Sequence, residues 1–265
     1  MGAVAVAVSL GAMARAQKPS RFEIVRRRVE GSPRLKALWA CSNVTAINRM
    51  HINDHGPVHV KIVIRVALRL LELLHEAGVP LGAYDHGLDY EDAKVIVLLA
   101  AALHDIGHVV HRAEHESHSL SLAPLLLEEL LAGVYEEPQR TQVMAEVLHA
   151  IYAHRRDVEP LTVEAGIIKV ADALDMEKGR ARIPFKVGVP TIHTVSALAI
   201  EKVEILKGRE KPVHIRVRMS NSAGIFQLDS LFKEKLARSG LKEYVEVSAE
   251  IEGEEKKIIE RYSLE

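Results

Sequence analysis

A switch in hydrophobic periodicity near Ile183-Pro184 constrains this chain more than any other feature of its sequence. Before the switch, apolar residues recur at helical spacing in long segments, several with recognisable ends. One helix is expected from Pro33 to Met50. A second starts at Pro57, a favourable first-turn residue, and runs through VKIVIRVALRLLELL to Gly78. A third opens at Asp89, with Asp92 three residues on, and carries DAKVIVLLAAALHDI until Gly107 stops it. Further helices fit Glu114 to Ala132, Pro138 to His154, and Thr162 to about Lys178, the last with Thr162 as N-cap. After Pro184 the pattern changes to the alternation typical of strands in IEKVEIL, PVHIRVRMS, EYVEVSAEIE and KIIERYS, with turns at Lys207-Gly208 and Gly253-Glu254. Between the two strand pairs, GIFQLDSLFKEKLARSG reads as an amphipathic helix closed by Gly240. The expected fold class is α+β: an all-α helical bundle followed by a small ββαββ domain. Its expected divisions are an N-terminal arm over 1–32, a helical domain over 33–183 and the small domain over 184–265. One helix covers only one face of a four-stranded sheet, so the other face should pack on the bundle or on a second subunit. A homo-oligomer formed through the C-terminal domain is the partner this implies.

At 265 residues and 48% apolar composition, the chain can bury a full core. Lys+Arg 35 against Asp+Glu 36 leaves no global field to hold a nucleic acid or to press the chain onto an acidic membrane, so phosphate recognition must be local. The single cysteine, Cys41, excludes an internal disulfide framework and cysteine-rich zinc sites; it fits a reducing, cytoplasmic compartment and is expected to be a small buried residue near Trp39. The apolar segment GAVAVAVSLGAMA, residues 2–14, lacks a basic flank and is shorter than the roughly 20 residues a bilayer span requires. It is expected to be a strand, a packed arm or an upstream extension.

Most of the chain's 14 histidines fall before the switch. Neutral imidazole and carboxylate together are the usual ligands of borderline divalent metals. His104 and Asp105 follow the apolar run VLLAAAL, so a buried helix delivers them where it ends. Adjacent helical residues point about 100° apart, and both can reach one ion only from a terminus or a bent turn. Asp172, in IIKVADALD, lies inside another apolar helix, where an unpaired carboxylate would cost several kcal/mol, so it needs a cation. His59 opens a third apolar helix, two residues after Pro57.

The ordered set His59, His104-Asp105, Asp172, together with LHDIGH around the tandem and KVAD before the last acid, resembles the H…HD…D signature of the HD superfamily of metal-dependent phosphohydrolases. The resemblance covers roughly residues 53–178. It implies that His59, His104, Asp105 and Asp172 bind a first metal. Two-metal members, such as the small bacterial diadenosine tetraphosphate hydrolases, add two histidines between the tandem and the final aspartate. His115 in HESHS and His154 in AIYAH match those places, and His118, one turn from His115, could replace it or act as an acid near the substrate. The cyclic di-GMP phosphodiesterase branch is rejected, because the chain has His154-Arg155 where that branch has a His pair and carries no GYP tripeptide.

The implied reaction is hydrolysis of a phosphate ester or anhydride of a nucleotide or related small phosphorylated substrate. Its cofactor is one or two divalent ions (Mn, Fe, Ni, Zn or Mg), its nucleophile water activated by the metal, and Asp105 its bridging carboxylate. Lys169, Arg155 and Arg112 are the candidate cations for the substrate's phosphate, and His55, one turn before His59, is either a leaving-group acid, an orienting residue or a loop histidine at a helix end. His108 and His111 are expected to orient other groups or to lie on the surface, and Asp175 to assist from behind the ligands. Two other readings compete: a nucleotide-sensing or partner-binding module with little turnover, and a di-iron oxygenase on the same scaffold.

Overall fold

The computed structural model describes residues 18–179, 192–251 and 253–254. Among the described residues, seven α-helices form the bundle: α1 Arg21–Gly31, α2 Pro33–Asn43, α3 Pro57–Glu76, α4 Tyr90–Leu103, α5 His115–Leu131, α6 Gln139–Ala153 and α7 Val163–Ala173. Their starts follow local chemistry. Pro33 and Pro57 occupy first-turn positions, Asp89 and Asp92 close a capping box at the head of α4, and the Thr162 hydroxyl accepts from the Ala165 amide. α4 is the central element: every residue from 95 to 103 is buried, and α1, α3, α6 and α7 all pack on it.

The sequence reading omits α1, whose RFEIVRRRVEG is mostly charged and buries only Val25 and Val29, a stripe one turn long. That stripe rests on α4, and the Arg28 guanidinium donates to the carbonyls of Leu130 at 2.8 Å and Ala132 at 2.7 Å. Cys41 is exposed rather than buried, because it sits two positions from Trp39, about 200° round the same helix. The α4 helix ends at Leu103, short of Gly107, and α7 ends at Ala173, short of Lys178. Gly107 serves close packing more than termination: a Cβ there would lie 2.0 Å from the His115 carbonyl oxygen.

The small domain contains α8 Ile192–Ala199, β1 Ile200–Lys207, β2 Val213–Met219, a wide helical turn over Gln227–Phe232 leading into α9 Lys233–Ala237, and β3 Val245–Ile251. The sheet order is β1-β2-β3, with β1 antiparallel and β3 parallel to β2. The fourth expected strand, residues 257–263, lies outside the described residues, as do residues 2–14 and the Ile183-Pro184 switch. Val213, Ile215, Val217 and Met219 bury one face of β2 in a core continuous with the bundle, and both β1 and β2 touch α3. The opposite face is charged: Glu204 accepts from Arg216 at 2.8 Å and from Lys202 at 2.8 Å, and His214 meets Ser248 at 2.8 Å. The expectation of a second face needing cover is therefore corrected, since the strands alternate apolar inward and polar outward.

Glu164 shows how tightly the bundle is tied. Its buried carboxylate accepts from the amides of Gly82 at 2.8 Å and Ala83 at 3.0 Å, holding the loop after α3 against the head of α7. Burial raises the Glu164 carboxyl above its usual value even though both amides favour the ionised form. Glu164→Ala leaves two buried N–H groups without an acceptor and is expected to cost about 2–4 kcal/mol, read as a lowered denaturant midpoint at unchanged m-value.

Candidate metal centre

The end of α4 is built so that unpaired helix carbonyls position the site. The Trp39 indole N–H donates to the Ala102 carbonyl at 2.8 Å, and the Ser119 hydroxyl donates to the His104 carbonyl at 2.7 Å while accepting from the Gly107 amide at 2.8 Å. His104, just past the helix, uses Nδ1 to donate to the Ala101 carbonyl at 2.9 Å, which turns Nε2 inward. His154 repeats the device at the end of α6, its Nδ1 donating to the Ile151 carbonyl at 2.5 Å. His59, in the first turn of α3, donates from Nδ1 to Asp175 Oδ2 at 2.6 Å. In each case the second nitrogen is left as an acceptor, the form that binds a metal.

Asp105 stands between two groups of these acceptors. Its Oδ2 lies 3.2 Å from His59 Nε2 and 3.4 Å from His104 Nε2, with Asp172 Oδ1 3.5 Å from His59 on the far side. Its Oδ1 lies 3.3 Å from His115 Nε2, 3.5 Å from His108 Nε2 and 3.9 Å from His154 Nε2. His115 and His154 present their Nε2 atoms to each other at 3.3 Å. Two of the donor sets close enough to share one ion are therefore His59, His104, Asp172 and Asp105, His108, His115, with further sets formed by His55, His59, Asp105 and by His115, Glu116, His154.

Electrostatics keep Asp105, Asp172, His104 and His154 in ligating form, whereas Asp105 and Glu116 outweigh burial and raise His115 above the usual imidazole value. Burial would raise the Asp105 carboxyl, but His104, His55, His108 and His115 overcome it and hold it well below the usual carboxylate value. Asp172 is treated likewise by Lys235, His59 and His104. Burial pushes His104 down and His154 far down, so both rings are neutral at neutral pH. The donor set thus fits a divalent cation on chemistry as well as on distance.

The structure distributes the other expected residues unevenly. His55 Nδ1 lies 2.7 Å from Asp105 Oδ2, and Arg112 bridges His55 Nε2 at 3.3 Å and His108 Nε2 at 3.2 Å. Asn43 and Asp54 hold that loop by accepting from the amides of His55 and Gly56, each at 2.9 Å. Among the described residues, His118 enters none of the donor sets, whereas His115 enters two. Arg155 is engaged by Glu114 at 2.9 Å and Asp157 at 3.1 Å. Lys169 is fully buried, and its ammonium donates to the carbonyls of Arg155 at 2.5 Å and of Val158, securing the turn after α6 rather than facing the cluster. Burial, with Lys235 and Arg238 nearby, lowers it to about 8.

Two residues at the site go beyond the sequence reading, which gives His108 only as an orienting or surface residue and does not name Lys235. His108 is fully buried beside Asp105 and stacks on His55 at 4.3 Å; its place one turn beyond Asp105 was the available signal. Lys235, on α9 of the small domain, donates to Asp172 Oδ2 at 2.5 Å and is a cation of the kind Asp172 requires. Nothing in its spacing links it to a residue 63 positions earlier.

The model of the HD domain family matches residues 59–177. An uncharacterized protein of Methanocaldococcus jannaschii is 46% identical over 224 residues, 84% of this chain and 86% of that protein. Ribonuclease Y of Thermoanaerobacter pseudethanolicus is 38% identical over 112 residues, 42% of this chain and 18% of that enzyme. Ribonuclease Y of Symbiobacterium thermophilum is 28% identical over 196 residues, 68% of this chain and 33% of that enzyme.

Proposed function

The chain belongs to the HD domain family, a superfamily of metal-dependent phosphohydrolases, and on that premise we propose that it hydrolyses a phosphate ester or anhydride of a nucleotide or related small molecule. The observation that carries this reading is the position of Asp105, one oxygen turned to His59 and His104 and the other to His115 and His108. In this reading His59, His104, Asp105 and Asp172 hold a first divalent cation, and Asp105, His115 and His154, joined by His108, hold a second. When bound, such cations supply Lewis acidity and activate water as a nucleophile at neutral pH. Asp105 stays ionised and pins both ligand groups together. In this reading Arg112 turns from His55 to meet a phosphoryl oxygen, and His55, bonded to Asp105 through Nδ1, gives a proton from Nε2 to the leaving oxygen when its ring is protonated at both nitrogens.

The small size of the net charge supports a small substrate over a polymer. The likeness to ribonuclease Y favours a second reading, cleavage of an RNA phosphodiester. None of the described helices is long and apolar enough to cross a membrane, and the reading places the reaction in the cytoplasm. The test is a panel of phosphorylated metabolites and single-stranded RNA, incubated with protein loaded with manganese, iron, nickel, zinc or magnesium. Cation-dependent release of phosphate or nucleoside monophosphate from a small substrate is expected. Cleavage of RNA alone would replace this reading with the second, and inertness of every loaded form would end both.

A further inference from the structure

Lys235 lies outside the helical domain yet reaches its centre. The α9 segment carrying it is seated on α7 by several contacts. Gly166 of α7 approaches so closely that a Cβ there would lie 2.3 Å from the Ser239 carbonyl oxygen, and Arg156 pairs with Glu234. These contacts fix the stem from which the Lys235 ammonium meets Asp172. The Asp172 carboxylate is divided between two neighbours: Oδ1 faces His59 and His104, and Oδ2 takes the ammonium at 2.5 Å. An ion held through Oδ1 leaves the ammonium beside it.

The position is open enough for a ligand. The Lys235 side chain keeps 22% of its exposure, against 0% for His59 and His104, so the ammonium sits at the rim of the cluster. Other cations near the centre already have partners of their own: Arg155 has Glu114 and Asp157, Arg156 has Glu234, and Lys169 has two backbone carbonyls. Arg112 stands over the His55 and His108 side, leaving the Asp172 side to be served from the small domain.

We propose that Lys235 binds an anionic oxygen of the substrate's phosphoryl group, so that the small domain completes the site of the helical one. The inference rests on the metal-centre reading above and adds to it the role of the C-terminal domain. An ammonium shared between Asp172 Oδ2 and a phosphoryl oxygen makes one charge-assisted hydrogen bond to each, and Lys has donors for both.

The test is calorimetric titration of the manganese-loaded full chain with inorganic phosphate, alongside titration of the metal-free chain with manganese. Lys235→Met is expected to weaken phosphate binding by about 10- to 100-fold, the range for loss of a charge-assisted hydrogen bond, with Lys235→Arg recovering most of it. Manganese affinity should change by less than phosphate affinity in both variants, because Lys235 bonds Asp172 through the oxygen turned away from His59 and His104. Unchanged phosphate affinity in Lys235→Met overturns the inference, as does a parallel collapse of manganese affinity, which would make Lys235 only an orienter of Asp172. A parent chain that takes up no manganese removes the metal-centre reading and this inference together. A chain that takes it up and hydrolyses substrate, with phosphate binding indifferent to Lys235, removes this inference alone.

Discussion

Asp105→Asn is expected to lower hydrolysis by on the order of 10^3-fold or more and to strip the protein of its divalent cations, while leaving its helical content unchanged. The substitution keeps the shape of the side chain and removes its charge. Both carboxylate oxygens are engaged: Oδ2 with His55, His59 and His104, Oδ1 with His115, His108 and His154. An amide offers one oxygen and one NH2 group, so whichever way it is turned, one group of imidazoles faces a donor in place of an acceptor. The lost charge weakens both ligand groups at once, and the NH2 group removes a ligand atom from one of them. His154→Ala, in contrast, should empty only the group on the Oδ1 side and leave one ion per chain. Elemental analysis of the two purified variants beside the parent checks this directly. An Asp105→Asn protein that retains its ions and its rate would show that the carboxylate is not shared.

Much of this centre was legible in the sequence because its members lie at helix ends, and helix ends have signatures. Pro57 marks the turn that carries His59, and the apolar run before His104 marks a buried helix that must deliver its last residues inward. Asp172 was legible as an acid in an apolar helix that needs a positive partner. The partner was not, since Lys235 is one of two lysines on a short amphipathic segment and only tertiary packing selects it. His108 illustrates a different failure. It sits in the tight turn over Ile106–Val109 that follows α4, where helical spacing no longer says which way a side chain points. The same limit applies to α1, whose two buried valines give too short a stripe to stand out against four arginines. Lys169 was misjudged because an apolar neighbourhood in sequence reports burial without direction: its ammonium does leave the apolar face, but toward two carbonyls of the turn after α6.

Asp175→Asn is expected to weaken divalent-cation binding by about 10- to 100-fold, although among the described residues Asp175 belongs to none of the donor sets that could share an ion. Its Oδ2 accepts from His59 Nδ1 at 2.6 Å, a buried contact across 116 positions of sequence. That bond fixes three things together. It selects the tautomer in which Nε2 carries no proton, it holds the ring plane toward Asp105 and Asp172, and its negative charge raises the basicity of the ligating nitrogen. Asparagine can still accept through its amide oxygen, so the ring need not swing away, but the charge is lost. Its NH2 group can also turn toward Nδ1 and favour the tautomer protonated at Nε2, which faces the cluster with a hydrogen instead of a lone pair. α7 ends at Ala173, so Asp175 stands beyond the helix that carries Asp172. Competition of the parent and variant proteins for manganese against a chromogenic chelator reads the affinity ratio without reference to any substrate. A ratio near one would mean that His59 is oriented by its helix alone, and that the ordering of the centre resides in the ends of α3, α4 and α6 rather than in the acids behind them.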